Sequence, residues 1–119
     1  MNIIYAEAKD RFTETAFSSL IIDNIARSIY TIYTCPACGQ EILFKQINFR
    51  EDSSSSSLSQ DHSSAILMEA IAKNLDQKGY LDWYCPKCHI AARVYFSQWY
   101  GGRLGDDGVD LIGVFEIIS

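Results

Sequence analysis

Four cysteines carry the clearest chemical potential of this chain. They fall in two short runs, Cys35-Pro36-Ala37-Cys38-Gly39 and Cys85-Pro86-Lys87-Cys88-His89, and the 119 residues contain no others. Two residues between paired cysteines let both sulfurs turn toward one point. Two such pairs supply four soft donors in the tetrahedral arrangement that zinc accepts. Proline after the first cysteine stiffens each turn, and the backbone N–H groups beyond it can donate to sulfur. A ligand set of Cys35, Cys38, Cys85 and Cys88 leaves no open position for water. It predicts one structural Zn2+ rather than a catalytic ion.

CPACG and CPKCH resemble the knuckles of zinc-ribbon proteins, whose usual form is C-P-x-C-G. The resemblance covers the two knuckles and their flanking strands. It implies a zinc ion held by four cysteines, with each knuckle at the tip of a hairpin. Two departures stand out. A ribbon usually has a spacer of about 15–20 residues, whereas 46 residues separate Cys38 from Cys85 here, so a helix is expected between the halves. His89 also occupies the place of a glycine whose turn needs positive φ.

Other chemistries use similar strings. Cys85-Pro86-Lys87-Cys88-His89 matches the c-type haem attachment pattern, which requires export; Met1 to Arg11 lacks the basic-then-apolar order of a signal peptide. Thiol redox enzymes place Cys-Pro-x-Cys at a helix N-terminus, which lowers the thiol pKa. Strand-like sequence follows both pairs here. With four cysteines available, His89 is expected beside the site or exposed, and His62 is expected at the surface.

Nucleotide-binding glycine motifs, a nucleophile elbow and a His-Glu-x-x-His pair are all absent from the sequence. Asp106, Asp107 and Asp110 lie among glycines without the spacing of an EF-hand. Trp99, Tyr100 and Arg103 are close to them, and aromatic and arginine side chains dominate protein-interface hot spots. These six residues form a candidate partner-binding surface. The formal net charge is −5; four thiolates holding a dication add −4 and +2, taking it to about −7. The ten lysines and arginines are scattered. That argues against non-specific nucleic-acid binding, which needs a basic stripe, and for attraction to a basic protein. A local patch of Lys87, Arg93 and Arg103 is what remains of the nucleic-acid option. No apolar run approaches the ~20 residues of a membrane span. The expected location is the cytoplasm, where thiols stay reduced.

Several elements must position these groups. Asn2–Tyr5 reads as a terminal strand or the lead-in to a helix. Phe12, Ala16, Phe17, Leu20, Ile21 and Ile25 recur at helical spacing, predicting a helix over Arg11–Ile29 with Asp10 as N-cap. Tyr30–Thr34 and Glu41–Phe49 predict strands flanking the first knuckle, with Gly39 in the tight turn. A serine tract follows. A second helix is expected from Asp61 or Ser63 to about Lys78, with an apolar stripe of Ile66, Leu67, Ala70, Ile71 and Leu75 and a stop at Gly79. Tyr80–Tyr84 and Ala91–Tyr100 then flank the second knuckle. In the latter, Ala92, Val94, Phe96 and Gln98 take one face and Arg93, Tyr95, Ser97 and Trp99 the other. Val109–Ile118 is a closing strand with a bulge at Gly113. The expected fold is α+β: an antiparallel sheet of two CPxC-tipped hairpins plus a C-terminal strand, packed with two helices. One domain is expected over residues 1–119, with a flexible serine-rich loop at about 51–61.

These features point to a small acidic protein-binding module stapled by zinc, not an enzyme. Small bacterial immunity proteins, which neutralise nuclease-type toxins, are similar in physical type: short, soluble and acidic. That likeness implies a basic toxin as partner. A nucleic-acid-binding ribbon is the alternative, and a thiol redox protein the second alternative.

Overall fold

Strongly alternating sequence in the last third of the chain builds the framework. The computed structural model describes residues 1–19, 21–22, 25–26, 30–49, 56–101 and 106–118. In chain order the elements are β1 (Ile3–Glu7), β2 (Ala16–Ser19), β3 (Ile21–Ile22), β4 (Ile25–Ala26), β5 (Tyr30–Thr34), β6 (Glu41–Lys45), α1 (Gln60–Ala72), β7 (Gly79–Tyr84), β8 (Ala91–Gly101) and β9 (Asp106–Ile117). Short 3-10 turns cover Ala8–Asp10 and Gln46–Asn48.

The long strands β8 and β9 form the centre of a five-stranded antiparallel sheet, with β7 beyond β8. Two short strands share the other side of β9. β1 pairs along its C-terminal half, from Ile3–Ile117 to Glu7–Gly113, and β2 along its N-terminal half, from Ala16–Asp110 to Ser19–Asp107. β5 and β6 form a separate two-stranded ribbon, and β3 pairs with β4. Residues Arg11–Thr13 run along the outer edge of β5: Thr13 N–H bonds to Ile32 O and Thr34 N–H to Arg11 O, both at 3.0 Å.

Alternation along β8 divides its side chains between two cores. Ala92, Val94 and Phe96 face the ribbon together with Val109, Leu111 and Val114 of β9. Ala91 and Tyr95 face the helix with Phe115 and Ile117, packing against Ile66 and Ala70 of α1. The sheet is therefore covered on both sides. Aromatic rings fill the ribbon side: Tyr33–Trp83 centroids lie 4.8 Å apart, Phe44–Trp83 4.9 Å and Phe49–Phe96 5.3 Å. Pairs at such spacings add about 0.5–1.5 kcal/mol beyond their burial.

Each face also carries one buried ion pair. On the helix side Arg93 donates to Asp82 through Nε at 2.6 Å and Nη2 at 3.0 Å. Both side chains are only 2% exposed. Nη2 also reaches Ser63 Oγ of α1 at 2.8 Å, Nη1 reaches Tyr95 Oη at 3.2 Å, and the guanidinium stacks on the Tyr80 ring. On the ribbon side Arg11 Nε lies 3.0 and 3.1 Å from the two oxygens of Glu116, which is fully buried, and the Tyr33 hydroxyl donates to the same carboxylate. Burial and that neighbouring carboxylate push the Tyr33 hydroxyl above its ordinary range, so it stays protonated.

Several expectations change. The two CPxC hairpins do not share one sheet: the ribbon packs against the face of the other hairpin's sheet, and the outer edge of β5 is taken by Arg11–Thr13. Only one α-helix is present among the described residues, not two. The span expected as a helix over 11–29 holds β2, β3 and β4 instead, with residues 20, 23–24 and 27–29 outside the described set. Its apolar residues suit either period; the half of β9 that β1 leaves open supplies backbone partners that a helix would forgo, and Phe17 is buried there against Phe49.

Helix α1 is shifted toward the N-terminus of its expected span. Ser59, not Asp61 or Ser63, is the N-cap, accepting from His62 N–H. Its end is set by Asn74 at φ +59°, not by Gly79, which is buried in β7. Leu75 N–H bonds to Ala70 O and Asn74 N–H to Ile71 O, the paired bonds of a Schellman cap. Leu67 and Ile71 are exposed, because a helix resting on Ile66 and Ala70 turns them about 100° away.

Of the serine-rich stretch, residues 51–55 lie outside the described set. Ser56 and Ser57 bond to Asp82, through its carboxylate and its backbone carbonyl respectively. The bulge expected at Gly113 falls beside it: Tyr95 pairs with Gly113 and Phe96 with Leu111, skipping Ile112. Any side chain at Gly113 would overlap the Tyr5 ring. No helix among the described residues is long and apolar enough to cross a membrane.

Asp82→Ala leaves the Arg93 guanidinium buried without its counter-charge. It is expected to cost about 3–5 kcal/mol in urea unfolding, while Asp82→Leu combined with Arg93→Met recovers most of that loss.

Candidate metal centre

Each cysteine pair occupies the turn between two antiparallel strands, and the two turns are built alike. Cys35 N–H bonds to Gln40 O and Gly39 N–H to Cys35 O, both at 2.9 Å. Cys85 N–H bonds to Ile90 O and His89 N–H to Cys85 O, again at 2.9 Å. The residue after the second cysteine is left-handed in both knuckles, Gly39 at φ +77° and His89 at φ +65°. Histidine thus adopts the glycine conformation, which it tolerates better than most side chains. His89 is exposed and is not among the residues that converge.

The four sulfurs lie within 4.8 Å of one another. Across the knuckles, Cys35 Sγ is 3.6 Å from Cys88 Sγ and Cys38 Sγ is 3.5 Å from Cys85 Sγ. A tetrahedron with metal–sulfur bonds of about 2.3 Å has edges of about 3.8 Å. The donor set therefore has the size and chemistry to hold a metal ion. Cys35 and Cys85 are buried, Cys38 and Cys88 half-buried.

Electrostatics differ between the knuckles. Burial pushes the Cys35 thiol up to about 12, against the opposing pull of backbone hydrogen bonds from Cys38 and Ala37. At Cys85 burial acts in the same upward direction. It is outweighed by backbone hydrogen bonds from Cys88 and Lys87 and by the thiols of Cys38 and Cys88, which bring Cys85 down to about 6. In both knuckles the backbone N–H groups beyond the first cysteine pull its thiol downward, as the CPxC turns anticipate.

The candidate partner residues sit far from this centre. Trp99 and Tyr100 end β8, where Trp99 pairs with Gly108, Tyr100 with Asp107 and Ser97 with Asp110. The hairpin brings Trp99 and Tyr100 alongside Asp106, Asp107 and Asp110 in register, while Arg103 lies outside the described residues. Trp99 is 41% exposed, with its indole over Gly108, and Asp110 is exposed. Trp99 lies eight positions along β8 from Ala91, beside the knuckle, about 26 Å at ~3.3 Å per residue. His62 has a partner the sequence did not suggest: Nδ1 lies 2.9 Å from Tyr84 Oη.

Two groups that position the centre were missed. Glu116 and Arg11 clamp Tyr33, two residues before Cys35, and Asp82 with Arg93 fixes the strands on either side of the second knuckle. The available signal was a charged residue inside an apolar strand run, in Val114-Phe115-Glu116-Ile117 and Ala91-Ala92-Arg93-Val94. Compared with family models, curated proteins and solved structures, the chain matches none.

Metal binding here must displace up to four thiol protons, so affinity falls as pH falls. Metal-loaded protein is expected to release its ion to a chromogenic chelator increasingly as pH falls through the acid range, and to retain it above neutrality.

Proposed function

We propose that the chain is a protein-binding module of the cytoplasm, stapled by one structural zinc ion and without catalytic activity of its own. Its sharpest form is an inhibitor that neutralises a basic, nuclease-type toxin. The observation that carries the reading is the closed set of four thiols joining two layers of the fold. Four sulfurs complete a tetrahedral shell, so a bound ion offers no site for substrate or water. Zinc is the metal that four thiolates and a tetrahedral site favour.

Several features support a surface function for a basic partner. The net charge of −5 becomes more negative on metal binding and speeds encounter with a cationic protein. The exposed Trp99 shares one hairpin with a strand whose sequence carries three aspartates, so an aromatic anchor and acidic residues fall in one register. Arg93, one of three residues that a nucleic-acid patch would need, is buried against Asp82 and unavailable to phosphate. Both cysteine pairs lie between strands rather than at a helix N-terminus, where thiol redox enzymes place theirs.

Elemental analysis of purified protein is expected to give about one zinc per chain, and Cys35→Ser to abolish it with a loss of several kcal/mol in stability. Affinity capture from the source cell is expected to yield a basic protein, with retention lost when Asp106 and Asp107 are both changed to Lys. Metal-free protein would overturn the zinc assignment. Salt-sensitive retention of DNA or RNA in place of a basic protein would overturn the partner assignment.

A further inference from the structure

Among the described residues, no strand pairs with the outer edge of β6, and the direction of its backbone groups follows from β5. Ile32 O accepts from Thr13 N–H, Ile32 N–H donates to Thr13 Oγ1, and Thr34 N–H bonds to Arg11 O. Ile32 and Thr34 therefore face the Arg11–Thr13 segment. Antiparallel strands alternate the direction of their hydrogen-bonding groups residue by residue. Thr31 and Tyr33 consequently bond across to their register partners Phe44 and Ile42, and Glu41, Leu43 and Lys45 point outward.

Local side chains occupy part of that edge. Lys45 N–H is held by Asn48 Oδ1 at 2.8 Å and Glu41 O by Gln40 Nε2 at 2.9 Å. Among the described residues, Glu41 N–H, Leu43 N–H and Leu43 O have no partner. Leu43 is 52% exposed and Tyr30, on the same outer face of the ribbon, 53%. Unpaired edges beside exposed apolar side chains are templates for another strand.

We propose that this edge pairs with β6 of a second copy of the chain, antiparallel about a two-fold axis through Leu43. Such an axis bonds each Leu43 N–H to the carbonyl of the partner's Leu43. It brings each Glu41 N–H to the carbonyl of the partner's Lys45, which has a second lone pair to accept with. The sequence Glu41-Ile42-Leu43-Phe44-Lys45 is self-complementary in this register. Glu41, exposed, lies opposite the partner's Lys45, and Lys45 opposite the partner's Glu41, so both charged cross-strand pairs are of opposite sign. Every group the fold leaves free on this edge finds a partner in the isologous contact. The edges of β7 and β1 lack this match. At β7 the Asp82 carbonyl is covered by Ser57. Self-pairing of β1 about Tyr5 would set Glu7 opposite Ile3.

Sedimentation equilibrium of the full-length, metal-loaded chain from micromolar to millimolar concentration tests the proposal. The expected result is a dimer at the upper end. Glu41→Lys alone or Lys45→Glu alone places like charges opposite each other twice, and each is expected to raise the dissociation constant about tenfold or more. An equimolar mixture of the two variants is expected to restore dimers, because every opposed pair again has opposite charge. Leu43→Pro removes the central donor without touching a bond inside the ribbon; it is expected to be monomeric with unchanged metal content. A wild-type chain that stays monomeric to millimolar concentration would overturn the proposal, as would a dimer indifferent to both charge changes.

Discussion

Four thiols confined within 4.8 Å form a group that cannot ionise together unless a cation neutralises it. Much of the architecture depends on how that conflict is resolved. The ribbon of β5 and β6 has no strand pairing with the five-stranded sheet. It is held there by ring packing, by the Glu116 cluster and by the convergence of sulfurs from both layers. A dication turns the crowded donors into a cross-link between residues about fifty positions apart. In the chain-entropy picture, a covalent clip closing a loop of that length contributes about 4 kcal/mol. Protons and metal compete for the same four atoms, so the link between the layers is also the part most exposed to acid.

What could be read from the sequence follows the range of the forces involved. The knuckles were legible because their geometry is set within five residues: a proline, two cysteines and a residue able to take positive φ. The faces of β8 were legible because both sides of the sheet are covered and alternation alone sorts Ala92, Val94 and Phe96 from Ala91 and Tyr95. The span from Arg11 to Ile29 was not legible. Its apolar residues fit two periods, and the deciding factor is the open half-edge of β9, some ninety residues later in the chain. The end of α1 was misplaced for a local reason: asparagine at position 74 adopts the left-handed conformation that was assigned to Gly79.

The two buried ion pairs show a similar limit. Arg93 and Glu116 each interrupt an apolar run, and a charge in such a place needs a partner that periodicity does not name. Their positions give them complementary tasks. Arg93 with Asp82 ties the last serines of the tract and Ser63 of α1 to the helix side of the sheet, and Glu116 ties Arg11 and Tyr33 to the ribbon side. Apolar packing alone would let either layer slide. A buried acid–base pair with fixed donors favours one placement over its neighbours, a contribution to specificity more than to net stability.

The length of β8 has a consequence for how such a chain can diversify. One end of the strand belongs to the metal centre and the other to the Trp99 hairpin, about 26 Å away at ~3.3 Å per residue. Neither Trp99 and Tyr100 nor the aspartates at 106, 107 and 110 supply a metal ligand or a member of either buried ion pair. Substitutions at the exposed Trp99 and Asp110 therefore leave the four sulfurs and both ion pairs in place. The fold separates the part that holds its layers together from a tip outside both, so side chains at that tip can change without the folding problem having to be solved again.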